Sequence, residues 1–176
     1  MTLTNTVRPD GGPVAFRSPH AEDGPAVTAL IAECPPLDSN SAYCNLLQCT
    51  HFADSCILAE RQGKLIGWIS GYRLPADPTR YFLWQVAVAA EGRGSGLATR
   101  MLDALLARPS LHGVTHLITT ITRDNAASWR LFRAFAERRG TALRESLCFD
   151  HDRHFAGRHA SEWQVEIGPL SDGALS

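Results

Sequence analysis

The sequence predicts one α/β domain in which helices flank a mixed central sheet. The chain has 176 residues, of which 44% are hydrophobic, and this is enough for one sizeable core. Segments with helical periodicity alternate with short runs rich in β-branched and aromatic residues. Their order is a strand, two helices, three strands, a helix, a strand, a helix and one or two final strands.

The composition limits the partners and compartments that we expect. A formal net charge of −1 lacks the positive excess that binds nucleic acid. No apolar run is long enough to cross a membrane, and the polar start has no signal-peptide core. Five cysteines, an odd number within apolar patterns, are typical of a reduced, cytoplasmic protein. We expect the domain to span residues 14–170, with disordered tails at 1–13 and 171–176.

The first part of the chain predicts one strand and two helices. The strand is Val14–Arg17, and the helix Ala21–Glu33 ends at two prolines, which cannot continue it. Ser39 or Asn40 is expected to cap a second helix that runs to Phe52. One side of that helix carries Tyr43, Leu46, Leu47 and Thr50.

The middle of the chain predicts three strands. A hairpin pairs Cys56–Arg61 with Lys64–Arg73 around a Gln-Gly turn. Pro75 and Pro78 indicate a loop, after which Tyr81–Val88 forms an apolar strand.

The last part of the chain predicts two more helices and three more strands. In order, we expect a helix over Leu97–Arg108, a strand over Val114–Thr122, a helix from Asp124 or Asn125 to Gly140, and strands over Arg144–Phe149 and Glu162–Ile167. The inward residues of the last helix are expected to be Ser128, Leu131, Phe132 and Phe135.

A glycine-rich stretch follows the strand Tyr81–Val88 and leads directly into a helix. It reads Arg93-Gly94-Ser95-Gly96-Leu97-Ala98. Glycines let the backbone approach a ligand, and amides at the positive end of a helix bind phosphate or pyrophosphate without a metal. The stretch lacks the Gly-Lys of a mononucleotide P-loop, and Thr99 stands where the dinucleotide motif needs its third glycine. A simple strand-to-helix turn is the alternative interpretation.

Arg-x-x-Gly-x-Ala after an apolar strand resembles the pyrophosphate loop of the GCN5-related N-acetyltransferases, which use acetyl-CoA. The predicted order of elements is similar to the order in that family. The resemblance implies a mostly antiparallel sheet whose central strands splay apart, so that pantetheine binds as an extra strand. The implied coenzyme contacts are the backbone of Val86, Ala87 and Val88, the charge of Arg93, and the amides of Gly94, Ser95, Gly96, Leu97 and Ala98.

The second half of the family pattern is also present. Asn125-x-x-Ser128, followed by Leu131-Phe132, resembles the start of a helix that contacts the coenzyme. A plain helix cap is the alternative role of Asn125, and the two roles are compatible. Phe132 departs from the family, in which many members carry a tyrosine that protonates the leaving thiolate. By analogy with cysteine, the thiol of free coenzyme A has a pKa of about 8.5, so its thiolate can leave without that help near neutral pH. We therefore still expect activity.

The segment from Cys34 to Phe52 resembles, within that family, the diaminobutyrate N-acetyltransferases of ectoine biosynthesis. It reads CPPLDSNSAYCNLLQCTHF. Gly67-Trp68-Ile69-Ser70, Trp84-Gln85-Val86 and His154-Phe155 extend the resemblance, which covers about residues 16–170. It implies transfer of an acetyl group from acetyl-CoA to the 4-amino group of L-2,4-diaminobutyrate, by a homodimer.

This chemistry needs anions for ammonium groups and a proton acceptor beside the thioester. We expect Asp38 to anchor the 2-ammonium group, Tyr43 to form a hydrogen-bonding wall and Trp84 to stack on the substrate. Glu162 is the second acid, and His159 is a weaker candidate for a base or relay. The structural alternatives are a helix cap for Asp38, core packing for the two aromatic residues and a solvated edge charge for Glu162. No metal is expected.

Two other functions compete with this interpretation. The first is a related acetyltransferase that acts on another small amine, such as ornithine, a polyamine or an aminoglycoside. The second is a non-catalytic acyl-CoA sensor, which would bind the coenzyme and transfer nothing. The polar segment Asp38–Tyr43 argues against the sensor, because a sensor needs no site for a charged amine.

Overall fold

Seven strands and four α-helices make up the computed structural model, which describes residues 12–170. Residues 1–11 of the predicted tail 1–13, and all of the predicted tail 171–176, lie outside the described residues. The strands are β1 Val14–Arg17, β2 Ile57–Arg61, β3 Lys64–Leu74, β4 Asp77–Val88, β5 His116–Thr122, β6 Ala142–Phe149 and β7 Glu162–Gly168. The helices are α1 Gly24–Ala32, α2 Ala42–Thr50, α3 Leu97–Leu106 and α4 Ala126–Arg138.

The strands form one mixed sheet in the order β1-β2-β3-β4-β5-β7-β6. Only β4 and β5 pair in parallel; the other neighbours are antiparallel. Helices lie on both faces. Gly67 of β3 faces α3 so closely that a Cβ there would lie 2.6 Å from Met101 Sδ. Gln85 of β4 points to the opposite face, where it contacts the loop between α1 and α2.

The parallel pair β4–β5 is short, and this opens the sheet. The two strands pair only at Arg80–His116, Tyr81–Leu117 and Phe82–Ile118. Beyond that point β4 pairs only with β3, and β5 continues along β7 as far as Thr122. The two strands therefore diverge, which confirms the splayed sheet that the family resemblance implied.

A β-bulge lies at the point where the strands diverge. Ser70 pairs with Gln85, and the next residue of β3, Gly71, pairs with Leu83, so Trp84 is left without a partner. A bulge of this kind bends the strand and re-aims a side chain. Trp84 is accordingly exposed, although it belongs to a central strand.

The first hairpin agrees with the prediction, and the second connection does not. Gln62 and Gly63 have φ values of 51° and 74°, as the primed two-residue turn requires. The loop predicted around Pro75 and Pro78 is instead a tight turn, because β4 already begins at Asp77. Pro78 is tolerated there because the register between β3 and β4 shifts at this end of the pair.

The second helix forms where it was predicted, but its cap differs and it ends at Thr50 rather than at Phe52. Ser41, rather than Ser39 or Asn40, caps α2, since its Oγ accepts the Cys44 N–H at 3.1 Å. The buried residues of α2 are Asn45, Gln48 and Cys49. The side that was predicted from the apolar pattern is largely exposed: Tyr43, Leu46 and Thr50 face outward, and Leu47 is half-buried.

Candidate active site

The divergence of β4 and β5 creates a cleft with a volume of about 360 Å³. We call it the splay cleft. It is lined by the loop Cys34, Pro35, Pro36 and Leu37, by Val86 and Val88, by Gly92, Arg93, Gly94, Gly96, Leu97, Ala98 and Thr99, and by Asn125, Ala127, Ser128 and Leu131. Most of the residues in which the sequence predicted a coenzyme site therefore surround one cleft.

Backbone conformation explains the glycines at the mouth of the cleft. Gly94 and Gly96 both have φ of 72°, a left-handed conformation that other residues rarely adopt. A Cβ at either position would meet no atom within 4 Å, so the space in front of both is open. Gly96 is also the N-cap of α3, and the Arg100 N–H donates to its carbonyl at 3.1 Å. The N–H groups of the first turn, which come before Arg100 in the chain, have no carbonyl of the helix to donate to and can bind an anion.

The backbone of β4 presents alternate residues to the cleft. The Ala89 N–H donates to Ile66 of β3 at 3.0 Å, so by strand alternation Ala87 also directs its backbone groups to β3. Val86 and Val88 then direct theirs into the opening. Ala87 has a fully buried side chain and does not line the cleft, so its expected role as a backbone contact does not fit this geometry.

Arg93 is tethered rather than extended. Its Nε donates to the Val88 carbonyl at 3.0 Å, and one terminal nitrogen lies 3.6 Å from Cys34 Sγ. The Cys34 thiol donates to the same carbonyl at 3.4 Å. The guanidinium thus keeps a positive charge at the cleft while it joins the glycine loop to the end of β4. Ser95 does not line the cleft, and its Oγ donates to the Gly92 carbonyl at 2.7 Å.

The start of α4 forms the opposite wall of the splay cleft. Asn125 Oδ1 accepts the Ser128 N–H at 3.1 Å, so Asn125 is the N-cap of this helix and also lines the cleft. Phe132 and Phe135 are buried as predicted, and Ser128 and Leu131 are half-buried. A buried Trp129, which the sequence analysis did not single out, lies beside them and donates its Nε1–H to the Thr122 carbonyl at 3.0 Å.

Three of the predicted substrate-side residues come together near the end of β5. His159 Nε2 lies 3.5 Å from Asp38 Oδ2, although the two residues are far apart in the chain. Glu162 is the first residue of β7 and pairs with Thr122 at the end of β5. Its Oε2 is buried and makes no hydrogen bond to any of the residues that the structure describes. An unpaired buried carboxylate oxygen is a suitable partner for an ammonium group.

The pKa values of Glu162 and His159 are both raised, for different physical reasons. Burial raises the pKa of Glu162, and the charges of Asp38 and Asp124 raise it further, against a hydrogen bond from Thr120 and the charge of His159. A hydrogen bond to the Ala160 carbonyl raises the pKa of His159, with support from Asp38 and Glu162. Glu162 is therefore an improved proton acceptor, and His159 is held toward its charged form.

The two aromatic candidates lie outside this group of three titratable residues. Trp84 is 42% exposed at the bulge, with its ring 6.4 Å from the ring of Tyr72. Tyr43 is 70% exposed on the first turn of α2. Within the described part of the chain, neither residue hydrogen-bonds to the three titratable residues of the preceding group. The structure thus leaves both available as walls of the substrate site.

Three polar residues behind this site were given no role in it by the sequence. Gln85, Asn40 and Asn45 are joined by hydrogen bonds between β4, the loop that carries Asp38, and α2. The only signal in the sequence was an uncharged polar residue inside an apolar strand. In residues 12–170 no group of three His, Cys, Asp or Glu side chains could hold a metal ion. No helix in that range is long and apolar enough to span a membrane.

Comparison with known proteins agrees with this geometry. The model of the Acetyltransferase (GNAT) family matches residues 25–136. The chain belongs to this family. The ribosomal-protein-S18-alanine N-acetyltransferase of Escherichia coli, at 15% identity and a TM-score of 0.66, shares the fold over 93% of this chain and 99% of its own.

Relatives with higher sequence identity are named for one particular acetyltransferase activity. L-2,4-diaminobutyric acid acetyltransferase from Methylotuvimicrobium alcaliphilum is 47% identical over 89% of this chain and 91% of its own length. The protein of that name from Vibrio cholerae is 48% identical over 88% of this chain and 90% of its own. The solved structure of diaminobutyrate acetyltransferase EctA from Paenibacillus lautus, in complex with L-2,4-diaminobutyric acid and coenzyme A, is 37% identical with a TM-score of 0.87. It covers 93% of this chain and 99% of its own.

Proposed function

We propose that this protein transfers an acetyl group from acetyl-CoA to the 4-amino group of L-2,4-diaminobutyrate. The product, 4-N-acetyl-L-2,4-diaminobutyrate, is the precursor of the compatible solute ectoine. The similarity to the Paenibacillus lautus enzyme, which binds this diamino acid and coenzyme A, carries the proposal. The family membership and the splay cleft agree with it.

Acetyl-CoA occupies the splay cleft in this proposal. The amides from Gly94 to Ala98 bind the diphosphate at the positive end of α3. Pantetheine lies along the free edge of β4, where Val86 and Val88 offer backbone groups as a neighbouring strand would. Asn125 and Ser128 contact the coenzyme from the start of α4. The residues support this arrangement because all of them except Ser95 line one cleft.

The substrate amine approaches from the group formed by Asp38, His159 and Glu162. Asp38 binds the 2-ammonium group, and Glu162 accepts the proton that the 4-ammonium group must lose. The nitrogen lone pair then attacks the thioester carbonyl, whose developing oxyanion is stabilised by backbone N–H groups of β4. When the C–S bond breaks, coenzyme A leaves as a thiolate. The attacking nitrogen then releases its remaining extra proton to water, which gives the neutral amide, and the thiolate takes a proton from water. His159, held toward its charged form, offsets the two carboxylates.

Trp84 and Tyr43 complete the substrate site as walls in this proposal. The exposed bulge position allows the Trp84 ring to stack on the cationic or aliphatic part of the substrate. We also infer a cytoplasmic homodimer. The edge strand β6 supports an interface, because it exposes Leu147 and Phe149 at 48% and 45%. The five free cysteines support a reducing compartment.

A mass-resolved assay tests the proposal. The protein is incubated with acetyl-CoA and L-2,4-diaminobutyrate, and fragmentation of the product shows which nitrogen carries the acetyl group. We expect the 4-nitrogen. Ornithine and putrescine serve as comparison substrates, and equal turnover on putrescine would exclude recognition of the α-carboxylate. Coenzyme binding without transfer to any amine would support the sensor instead.

A further inference from the structure

Gln85 bridges the central sheet and the loop that carries Asp38. It lies in β4 next to the bulge, and its side chain is 5% exposed. Its Nε2 donates to the Asp38 backbone carbonyl at 2.6 Å. Its Oε1 accepts a hydrogen bond from Asn40 Nδ2 at 2.9 Å. One buried amide therefore satisfies both of its polar ends on the same loop.

These contacts continue into both neighbouring helices. Asn40 Nδ2 also lies 3.2 Å from Asn45 Oδ1, and Asn45 Nδ2 donates to Thr28 Oγ1 at 2.9 Å. The Thr28 hydroxyl donates to the Gly24 carbonyl at 2.8 Å. Asn45 is fully buried. A connected chain of hydrogen bonds thus runs from β4 through the loop to α2 and α1, and a break in it leaves buried polar groups unpaired.

The Asp38 carboxylate itself has little other support. Its side chain is 77% exposed, and its one side-chain partner among residues 12–170 is His159, at 3.5 Å. The bond from Gln85 is the direct tie between Asp38 and β4, the strand along which the acetyl group is proposed to lie. The separation between the ammonium anchor and the thioester therefore depends on Gln85.

We propose that Gln85 is a positioning residue, which holds Asp38 at the distance from β4 that recognition of the substrate's second ammonium group requires. This inference rests on the proposed function. Gln85 does not touch the substrate, because its amide is buried and both of its ends are bonded to the loop. It acts through Asp38, and this separates it from a residue that only stabilises the fold.

A double-mutant cycle tests this role. Gln85→Met keeps the length of the side chain and removes both hydrogen bonds. We expect KM for diaminobutyrate to rise about tenfold, which corresponds to about 1.4 kcal/mol, and KM for acetyl-CoA to stay within about twofold. Asp38→Asn alone should raise the diaminobutyrate KM by at least as much. The double variant should match Asp38→Asn within about twofold, because Gln85 has nothing left to position.

Ser70→Ala is the matched control. Ser70 is the direct partner of Gln85 on β3, is fully buried, and its Oγ has no hydrogen-bond partner in the described chain. This variant should leave both KM values unchanged. Asn40→Ala removes one arm of the network outside the sheet and serves as the second test if Gln85→Met does not fold; it should give the same selective rise in KM.

The outcomes are distinguishable. If the increases in diaminobutyrate KM caused by Gln85→Met and Asp38→Asn multiply in the double variant, Gln85 acts independently of Asp38. That result would overturn the inference while leaving the proposed function intact. A diaminobutyrate KM unchanged in both Gln85→Met and Asn40→Ala would overturn it as well. If the wild-type protein transfers no acetyl group to diaminobutyrate, the proposed function itself fails.

Discussion

Glu162 shows how one residue acquires a chemical role from its surroundings. At the start of β7 its carboxyl is half-buried beside two other acids, and these raise its pKa. A raised pKa means that the carboxylate, the form that can accept a proton, appears only at a higher pH than for an exposed glutamate. Activity that depends on this carboxylate must therefore rise as pH rises through the elevated pKa.

Glu162→Gln should lower kcat by about 10²- to 10⁴-fold, because the proposed proton acceptor is lost. The rise of kcat/KM with pH that titration of this carboxyl causes should disappear, leaving only the titration of the substrate amine. Steady-state rates between about pH 4, near the ordinary pKa of a glutamate, and about pH 9 measure both effects. Glu166→Gln is a suitable control on the same strand, since Glu166 pairs with Arg80 at 2.7 Å and is not a site candidate. Wild-type kcat in Glu162→Gln would remove the base from this account.

The role of a single residue could be predicted from the sequence when it depends on the local backbone. It was harder to predict when it depends on packing between distant segments. Gly96 follows from the loop motif because its backbone angle is a local property. Asp38 and His159 were expected only through resemblance, since their approach depends on packing between distant segments. Gln85 and Asn45 were missed, because a buried amide is recognisable only once its hydrogen-bond partners are in place.

At the scale of elements, the glycine loop and α3 are proposed to form one anion-binding unit. Gly96→Val should reduce acetyl-CoA affinity by at least about tenfold, since the side chain projects into the open space before the helix and disfavours the left-handed backbone. Gly113→Val is the matched control, because Gly113 has φ of 81° and equally open space but lies outside the cleft.

Calorimetric titration with acetyl-CoA, together with thermal unfolding of both variants, separates binding from stability. Both substitutions should cost a similar amount of stability, about 1–2 kcal/mol, from backbone strain alone. Only Gly96→Val should lose affinity. Equal affinities in the two variants would contradict the assignment of the loop to the diphosphate.

Helix α2 shows where prediction of elements from the sequence stops. Its existence follows from its periodicity, but the residues that it buries do not. The apolar side that carries Tyr43 and Leu46 faces outward, and the structure buries Asn45 and Gln48 instead. Asn45 is stable inside because Thr28 and Asn40 lie within hydrogen-bond distance of its amide. Hydrophobicity alone carries no information about such partners.

At the scale of the molecule, Arg17 joins three segments at one end of the sheet. Its guanidinium makes two bonds of 2.7 Å to Asp23, ahead of α1, and one of 2.6 Å to Glu60 in β2. This contact holds the pKa of Asp23 below its usual value. A depressed native pKa stabilises the fold above the unfolded-state pKa of about 3.9, and the contribution is lost as pH falls through the native value.

Asp23→Asn should lower the free energy of unfolding by about 1–2 kcal/mol at pH 7, because a partly buried bidentate contact is broken. The difference from the wild type should shrink as pH falls below about 4, where the wild-type carboxyl also becomes protonated. Urea unfolding at several pH values measures this. Asp152→Asn, at a side chain that is 87% exposed, is the control and should change little. A pH-independent difference would contradict the linkage.

The architecture as a whole was largely predictable, because the order of elements along the chain excludes most alternative folds. The splay of β4 and β5 was inferred through the family resemblance and was confirmed. The bulge at Trp84 was not predicted, since strand register is decided by pairing across the sheet and not by the pattern of one strand. Trp84, at that bulge, is 42% exposed although it lies in a central strand.

The central claim is that the backbone at the splay holds a thioester while a diamino acid approaches it from Asp38 and Glu162. A crystal structure with acetyl-CoA and L-2,4-diaminobutyrate tests it most directly. We predict pantetheine along Val86 and Val88, the diphosphate on the amides from Gly94 to Ala98, and the 4-nitrogen of the substrate facing the thioester carbon. Coenzyme bound elsewhere, or a substrate whose 2-amine faces the thioester, would contradict the account.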